Sequence, residues 1–143
     1  INWWAPVSNV EEKNTMIFYP DYFDVPVKNT TSTWDLNIYL ANRKKGDFSY
    51  PSAPQLKENL PSNIKKIPVT IKPGEILCFS GAHLHSSSKE KSENTRISFE
   101  IRTICENDLN SSAQAPNVDC DLQWKFPKIF KKINDNSPLK ITS

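Results

Sequence analysis

Hydrophobic and polar residues alternate along several short stretches of the chain, which is typical of half-buried β-strands. The alternation is strictest in TRISFEIRTI, where Ile97, Phe99 and Ile101 fall on one face of the predicted strand. The other face carries four polar residues, namely Arg96, Ser98, Glu100 and Arg102. We expect that polar face to border either solvent or a polar cavity.

Other stretches predict strands because they are short, apolar and bounded by proline or polar residues. INWWAPV opens the chain, and TMIFYP ends at Pro20. A strand over residues 69–71 and another over residues 76–80 are joined by Pro73-Gly74, a pair that favours a tight turn. The polar stretch SSSKEKSENT that follows the second of these strands predicts a loop.

The stretch WDLNIYLANRKK fits two structures. Every second residue from Trp34 to Leu40 is apolar, as in a strand. In favour of a helix, Ser32 or Thr33 is suited to the N-cap, Asp35 lies in the first turn, and basic residues close the stretch. We expect a short helix here and keep the strand as the alternative.

The pattern as a whole predicts a mainly β fold with one or two short helices. Eleven prolines suit short strands with irregular connections, and three glycines are too few for the phosphate-binding loops of nucleotide-binding folds. We expect residues 1–105 to form the β domain. Residues 106–143 would form an extension with a short helix near 126–133 and a loose tail.

Charge and cysteine content argue against several functions. A net charge of +2 gives no electrostatic reason to expect nucleic acid or a membrane surface as a partner. No apolar run reaches the ~18 residues that a transmembrane helix requires. The three cysteines, Cys78, Cys105 and Cys120, lack the CxxC spacing of a zinc site, so we expect reduced thiols in a cytoplasmic protein.

Both histidines of the chain, His83 and His85, lie just before the polar loop. One interpretation is that they are structural residues at the end of a strand. A second starts from the spacing His83-x-His85-x4-Glu90, which matches the first half of a cupin metal motif. The glycine expected after that glutamate is missing. The alternative function is therefore a non-catalytic cupin-like module that binds a metal or a metabolite.

A third interpretation accounts for more of the residues. Pro73-Gly74 leads a strand towards His85, a polar loop follows, and Arg96 comes eleven positions after that histidine. This order resembles the C-terminal motif of Fe(II)/2-oxoglutarate-dependent oxygenases, most closely the phytanoyl-CoA dioxygenase-like branch. Further matching positions are Glu75 (in place of the family's Asp), Phe79 and Asn94. Similar stretches are WWAPVSNVEEKNTMIFYP, RISFEIRTI and APNVDC, so the resemblance covers about residues 1–120.

The resemblance implies a jelly-roll fold, also called a double-stranded β-helix (cupin-like), that is incomplete in this chain. It implies Fe(II) and 2-oxoglutarate as cofactors and the hydroxylation of a small organic substrate. His85 would be an iron ligand, because a neutral imidazole suits Fe(II). Arg96, on the neighbouring strand, would pair with the distal carboxylate of 2-oxoglutarate through two parallel hydrogen bonds.

Four further residues are candidates for supporting roles, namely His83, Asn94, Ser98 and Arg102. Ser98 shares a strand face with Arg96 and would donate a further hydrogen bond to 2-oxoglutarate. We expect His83 to be structural, or to contact the iron ligand His85 without binding the metal itself. Arg102 would meet substrate or pair with Glu100, and Asn94 matches an asparagine of the family's polar loop.

The family's first ligand motif, His-x-Asp, is missing, because no histidine precedes residue 83. We therefore expect the chain to be the C-terminal part of a longer oxygenase, or a relic that keeps the fold, and to be inactive by itself. An incomplete jelly roll would also expose sheet edges and the apolar face that carries Ile97, Phe99 and Ile101. We expect a homo-oligomer that buries both.

Overall fold

Six short strands and two short α-helices make up most of the regular structure in the computed structural model, which describes residues 1–88, 92–110 and 130–139. The strands are β1 (Asn2–Pro6), β2 (Met16–Phe18), β3 (Ile67–Pro68), β4 (Leu77–Phe79), β5 (His85–Ser87) and β6 (Ser98–Arg102), and the helices are α1 (Leu36–Lys44) and α2 (Glu106–Asn110). The strands form two antiparallel sheets of three, in the orders β4-β1-β6 and β3-β2-β5. The prediction of a mainly β fold with short helices is confirmed.

The first sheet has a buried inner face and an exposed outer face, and the two neighbouring tryptophans of β1 identify them. Trp4 lies opposite Leu77 and is 3% exposed, so its face is the inner face of the sheet. Trp3 lies opposite Cys78 and Ile101 and is 38% exposed, so its face is the outer face. Successive side chains of a strand point to opposite faces, and a shift of one residue in register would exchange them.

The hydrophobic core lies between the inner faces of the two sheets. Trp4 and Phe79 come from the first sheet, and Met16 and Phe18 come from the second. The ring of Phe18 meets that of Phe79 edge to face, with 5.1 Å between their centroids. Burying four large side chains in one cluster is the main stabilising contribution that the described contacts offer.

The Pro73-Gly74 turn is confirmed. The main-chain N–H of Glu75 donates to the oxygen of Lys72 (3.0 Å), and Gly74 has a φ of 95°. A positive φ at the third position of a turn with proline at the second is typical of a type II turn, and glycine adopts it without steric cost. This turn leads directly into β4, as the sequence predicted.

The predicted strand over residues 69–71 is wrong in position, because β3 consists of Ile67–Pro68. Val69 follows β3 and makes two hydrogen bonds through its main chain. Its N–H donates to the oxygen of Met16, and its oxygen accepts from the Thr15 hydroxyl. The Thr15 side chain is fully buried, so the hydroxyl needs that partner. The side chain of Val69 packs against the core without continuing the ladder.

The choice of helix over strand for WDLNIYLANRKK is confirmed, but the predicted N-cap is wrong. The cap of α1 is Asp35, whose Oδ1 accepts from the N–H groups of Asn37 (2.7 Å) and Ile38 (3.1 Å). Aspartate is among the best N-caps, since its carboxylate also favours the positive end of the helix dipole. None of the helix residues is buried.

Two further predictions fail after β4. Ser86 and Ser87, which were expected in a loop, belong to β5 and pair with β2. In the C-terminal extension, residues 126–129 of the expected helix lie outside the described residues, and residues 130–133 are not helical. Lys131 there forms a β-bridge with Pro138, so residues 137–139 are not loose either. None of the helices in the described part of the chain has the length and hydrophobicity to cross a membrane.

Candidate functional site

The connection between β4 and β5 carries both histidines from one sheet to the other. A tight turn follows β4, in which the N–H of His83 donates to the oxygen of Ser80 (3.0 Å). The chain then enters the second sheet at His85, which lies opposite Phe18. Direct partners in a ladder share a face, so His85 points to the inner face of the second sheet. The crossover places an imidazole in the layer between the sheets.

The imidazole of His85 packs between two aromatic rings of the core. It stacks on Phe18, with 5.6 Å between centroids and an angle of 25° between the planes, and meets Phe79 edge-on at 5.0 Å. Its Nδ1 lies 2.7 Å from the main-chain oxygen of His83. A carbonyl oxygen can only accept, so Nδ1 carries a proton, and in a neutral imidazole with this tautomer the lone pair is on Nε2. This is the arrangement by which proteins orient a metal-binding histidine.

His83 faces a different aromatic ring from His85. Its imidazole stacks on Phe23, with centroids 4.1 Å apart and planes inclined by 14°. Partial burial lowers the pKa of His83 below its usual value, and the nearby His85 lowers it further. The side chain of His83 therefore favours the neutral form, while its main-chain oxygen holds Nδ1 of His85.

The lowered pKa of His83 predicts a pH-dependent stability. The unfolded chain, with a histidine pKa near 6.5, takes up this proton before the folded chain does. Stability is therefore fully present above about pH 6.5 and falls as the pH drops below that value. We expect the H83Q variant to lose less stability than the unchanged protein between pH 7.5 and pH 5.5 in urea titrations. Equal losses in both proteins would contradict this origin of the pH dependence.

Arg96 lies just before β6 and reaches the inner side of the first sheet. Its Nη1 donates to the main-chain oxygen of Asn14 (2.9 Å), and its guanidinium carbon lies 5.6 Å from the ring centroid of Trp4. Trp4 belongs to the same core cluster as Phe18 and Phe79, which hold His85. Both predicted site residues therefore lie against one aromatic cluster.

The expectation that Arg96 lies on the strand next to His85 is wrong. His85 begins β5 in the second sheet, whereas Arg96 precedes β6 in the first. The sequence could not show this, because two strands that follow each other along the chain usually pair in one sheet. The imidazole and the guanidinium instead approach the core from different sheets.

A network of hydrogen bonds ties the loop before Arg96 to the 3₁₀ turn Glu12–Asn14. The Asn14 amide nitrogen donates to the main-chain oxygen of Asn94 (3.1 Å), and the Asn94 side chain donates to the carboxylate of Glu11. The backbone N–H of Asn94 donates to Ser92 Oγ at 3.1 Å. Asn94 thus holds the loop in place, and its side chain is committed to Glu11.

The remaining predicted residues lie along β6. Ser98 and Arg102 share the inner face with Glu100, which lies opposite Trp4. Arg102 Nε is 2.8 Å from Glu100 Oε1 in an exposed ion pair. Of the two roles expected for Arg102, substrate contact or pairing with Glu100, the structure shows the pairing. Ser98 is half-buried opposite Pro6. The structure therefore groups Ser98 with Arg96 on one sheet and leaves Arg102 at the surface.

A non-haem iron site of this type requires three protein ligands, two histidines and one carboxylate. Within residues 1–88, 92–110 and 130–139, no group of three or more His, Cys, Asp or Glu side chains is close enough to hold a metal ion. Glu90, the third ligand of the cupin interpretation, lies outside the described residues. One imidazole is a single ligand, so the described residues do not complete a site for Fe(II).

Sequence reasoning missed the aromatic residues that hold the two candidate side chains. Trp4 and Phe18 each occupy a position that the strand pattern indicates as buried, so their place in the core could be predicted. Their contacts with Arg96 and His85 could not be predicted from that pattern. The role of Asn14 had no signal, because it acts on Arg96 through its main-chain oxygen.

Comparison with known proteins gave no relative. No protein-family model, no curated protein and no solved structure matched this chain.

Proposed function

We propose that this chain contributes the distal histidine and the 2-oxoglutarate-binding arginine of a non-haem Fe(II)/2-oxoglutarate-dependent dioxygenase of the phytanoyl-CoA dioxygenase-like type. The observation that carries the proposal is the position of His85 and Arg96 on one aromatic cluster between two antiparallel sheets. Nδ1 of His85 is engaged by the main-chain oxygen of His83, so a metal would be bound through Nε2.

The proposed fold is an incomplete jelly roll. Two three-stranded antiparallel sheets with a common core are consistent with it, as is the crossover from β4 to β5, which brings a histidine between them. A complete double-stranded β-helix has more strands in each sheet. The two missing iron ligands, a second histidine and a carboxylate, would come from a His-x-Asp segment that this sequence does not contain.

When bound in a complete site, iron and 2-oxoglutarate would supply an oxidant that hydroxylates a small organic substrate. Arg96 has a planar guanidinium with five N–H donors, of which the bond to Asn14 uses one. The others suit a carboxylate, and Ser98 on the same sheet would add a hydroxyl donor. We expect this chain by itself to catalyse no turnover, because a single histidine binds iron weakly.

Metal titration of the two histidine variants tests the role of His85. We expect Co²⁺ at pH 7.5 to bind the 143-residue chain weakly, with its paramagnetic broadening centred on the His85 imidazole in NMR spectra. The H85Q variant should lose this binding by at least tenfold. The matched H83Q variant should keep it, because the His83 imidazole stacks on Phe23.

The same titration separates this proposal from the cupin-like alternative. Tight 1:1 binding that both H83Q and H85Q abolish would favour a site built from His83, His85 and Glu90. Binding that neither substitution changes would overturn both interpretations of the histidines.

We also propose that the chain forms a homo-oligomer. The support comes from the first sheet, where Ile97, Phe99 and Ile101 are each about half exposed, as the alternation in the sequence led us to expect.

A further inference from the structure

Every outer-face position within β1, β4 and β6 is apolar, and Thr103, just after β6, adds one hydroxyl to this face. The residues of β1, β4 and β6 on this face are Trp3, Ala5, Cys78, Phe99 and Ile101; Ala5 is buried, and the other four are exposed. Ile76 and Ile97, next to the strands, are 61% and 59% exposed. An antiparallel sheet that borders water normally places polar residues on its outward positions. In this sheet the charged residues Glu100 and Arg102 are on the other face.

We infer that the outer face of the first sheet is the surface through which two copies of this chain pack together, sheet against sheet. This deepens the self-association proposed above and is independent of the iron site. The occupant is a second copy for three reasons, which concern charge, polar groups and area.

The absence of charge makes the outer face compatible with itself. In a two-fold symmetric dimer, the same surface patch is used by both copies, so any charge near the axis would meet its own like charge. None of the outward positions of the three strands is charged. Trp3 lies on the central strand, with Cys78 and Ile101 on either side of it. Apolar side chains therefore meet apolar side chains in either relative direction of the two sheets.

The one polar donor of the aromatic side chains on this face already has a partner. The Trp3 indole N–H donates to Thr103 Oγ1 at 2.8 Å. Burial of a tryptophan normally requires a partner for this N–H, and an unpaired donor would oppose association. The outer face can therefore be removed from water without leaving the indole unpaired.

The exposed area of the face is sufficient for a weak dimer. Aromatic side chains bury about 150–250 Å² each when they are fully covered; with isoleucine taken at the low end of that range, the exposed fractions of Trp3, Ile76, Ile97, Phe99 and Ile101 amount to roughly 450 Å² per chain. Two copies would bury on the order of 1,000 Å² in total, which is the lower limit for a specific interface. We therefore expect a dimer that dissociates on dilution.

Sedimentation equilibrium of the 143-residue chain between low and high micromolar concentrations tests this surface. We expect a monomer–dimer equilibrium, and F99K should weaken it at least tenfold. The matched control is F48K, because Phe48 is 73% exposed and lies outside the first sheet. Circular dichroism and urea unfolding would show whether each variant is folded, and I101K serves as a second variant if F99K is not.

A crosslinking experiment reports on proximity directly. In a background in which Cys105 and Cys120 are replaced by serine, a short bismaleimide should join two chains through Cys78, which is exposed on the outer face. F99K should abolish this product, and F48K should not. A dimer that F99K leaves intact and that Cys78 does not crosslink would overturn the outer face as the interface while self-association stands. A monomer at all concentrations would overturn both.

Discussion

Replacement of Phe18 by alanine is expected to lower the free energy of unfolding by about 3–5 kcal/mol, the range for a buried phenylalanine. Phe18 is 6% exposed and occupies the centre of the aromatic cluster. Its ring contacts Phe23 and Phe79 edge to face and stacks on His85. The substitution therefore removes contacts with both sheets at once and leaves a cavity that β-strands on both sides cannot easily close.

The consequence for the population of folded chains is large. Domains of this size are stable by about 5–15 kcal/mol, so the F18A variant should unfold at a much lower urea concentration and be partly unfolded at 37 °C. Phe48 provides the control, because it is 73% exposed and F48A should change the unfolding free energy by less than about 1 kcal/mol. Similar urea midpoints for F18A and F48A would contradict the position of the core between the two sheets.

The sequence predicted the strands whose pattern is local. β1, β4 and β6 fall within the apolar or alternating stretches, and Pro73-Gly74 forms the expected turn. β5 was missed because Ser86 and Ser87 have no strand pattern of their own. They are extended because Ile17 and Met16 of β2 lie opposite them. A pairing between segments about 70 residues apart produces no recognisable pattern in the sequence of either segment.

The candidate site was likewise predictable from the sequence only in its local features. The residue types at positions 85 and 96 were visible in the sequence, and so was the polar face of β6. The supporting contacts were not visible, because they depend on which sheet each strand joins. Arg96 lies over Trp4 only because β6 pairs with β1, and His85 lies on Phe18 only because β5 pairs with β2.

Replacement of Arg96 by lysine is expected to act on both stability and ligand binding. Lysine keeps the positive charge but lacks the flat guanidinium that lies over Trp4 and donates to the oxygen of Asn14. Loss of the cation–π contact and of a partly buried hydrogen bond should together cost about 1–2 kcal/mol of unfolding free energy. Urea unfolding followed by tryptophan fluorescence would measure this loss.

The effect of the same substitution on ligand binding separates a structural arginine from one that binds 2-oxoglutarate. We expect the unchanged chain to bind 2-oxoglutarate in the millimolar range in the absence of metal, measured by shifts of its side-chain NMR signals, and R96K to weaken this binding at least tenfold. Arg102 provides the matched control, because it is paired with Glu100 at the surface and R102K should leave binding and stability nearly unchanged. If R96K lowers stability but 2-oxoglutarate shifts the same signals equally in both proteins, the guanidinium of Arg96 serves only to hold the loop of Asn94 against the first sheet. The resemblance to the oxygenases would then lose its second residue, because Lys can replace Arg as a point charge but not as a two-pronged donor to a carboxylate.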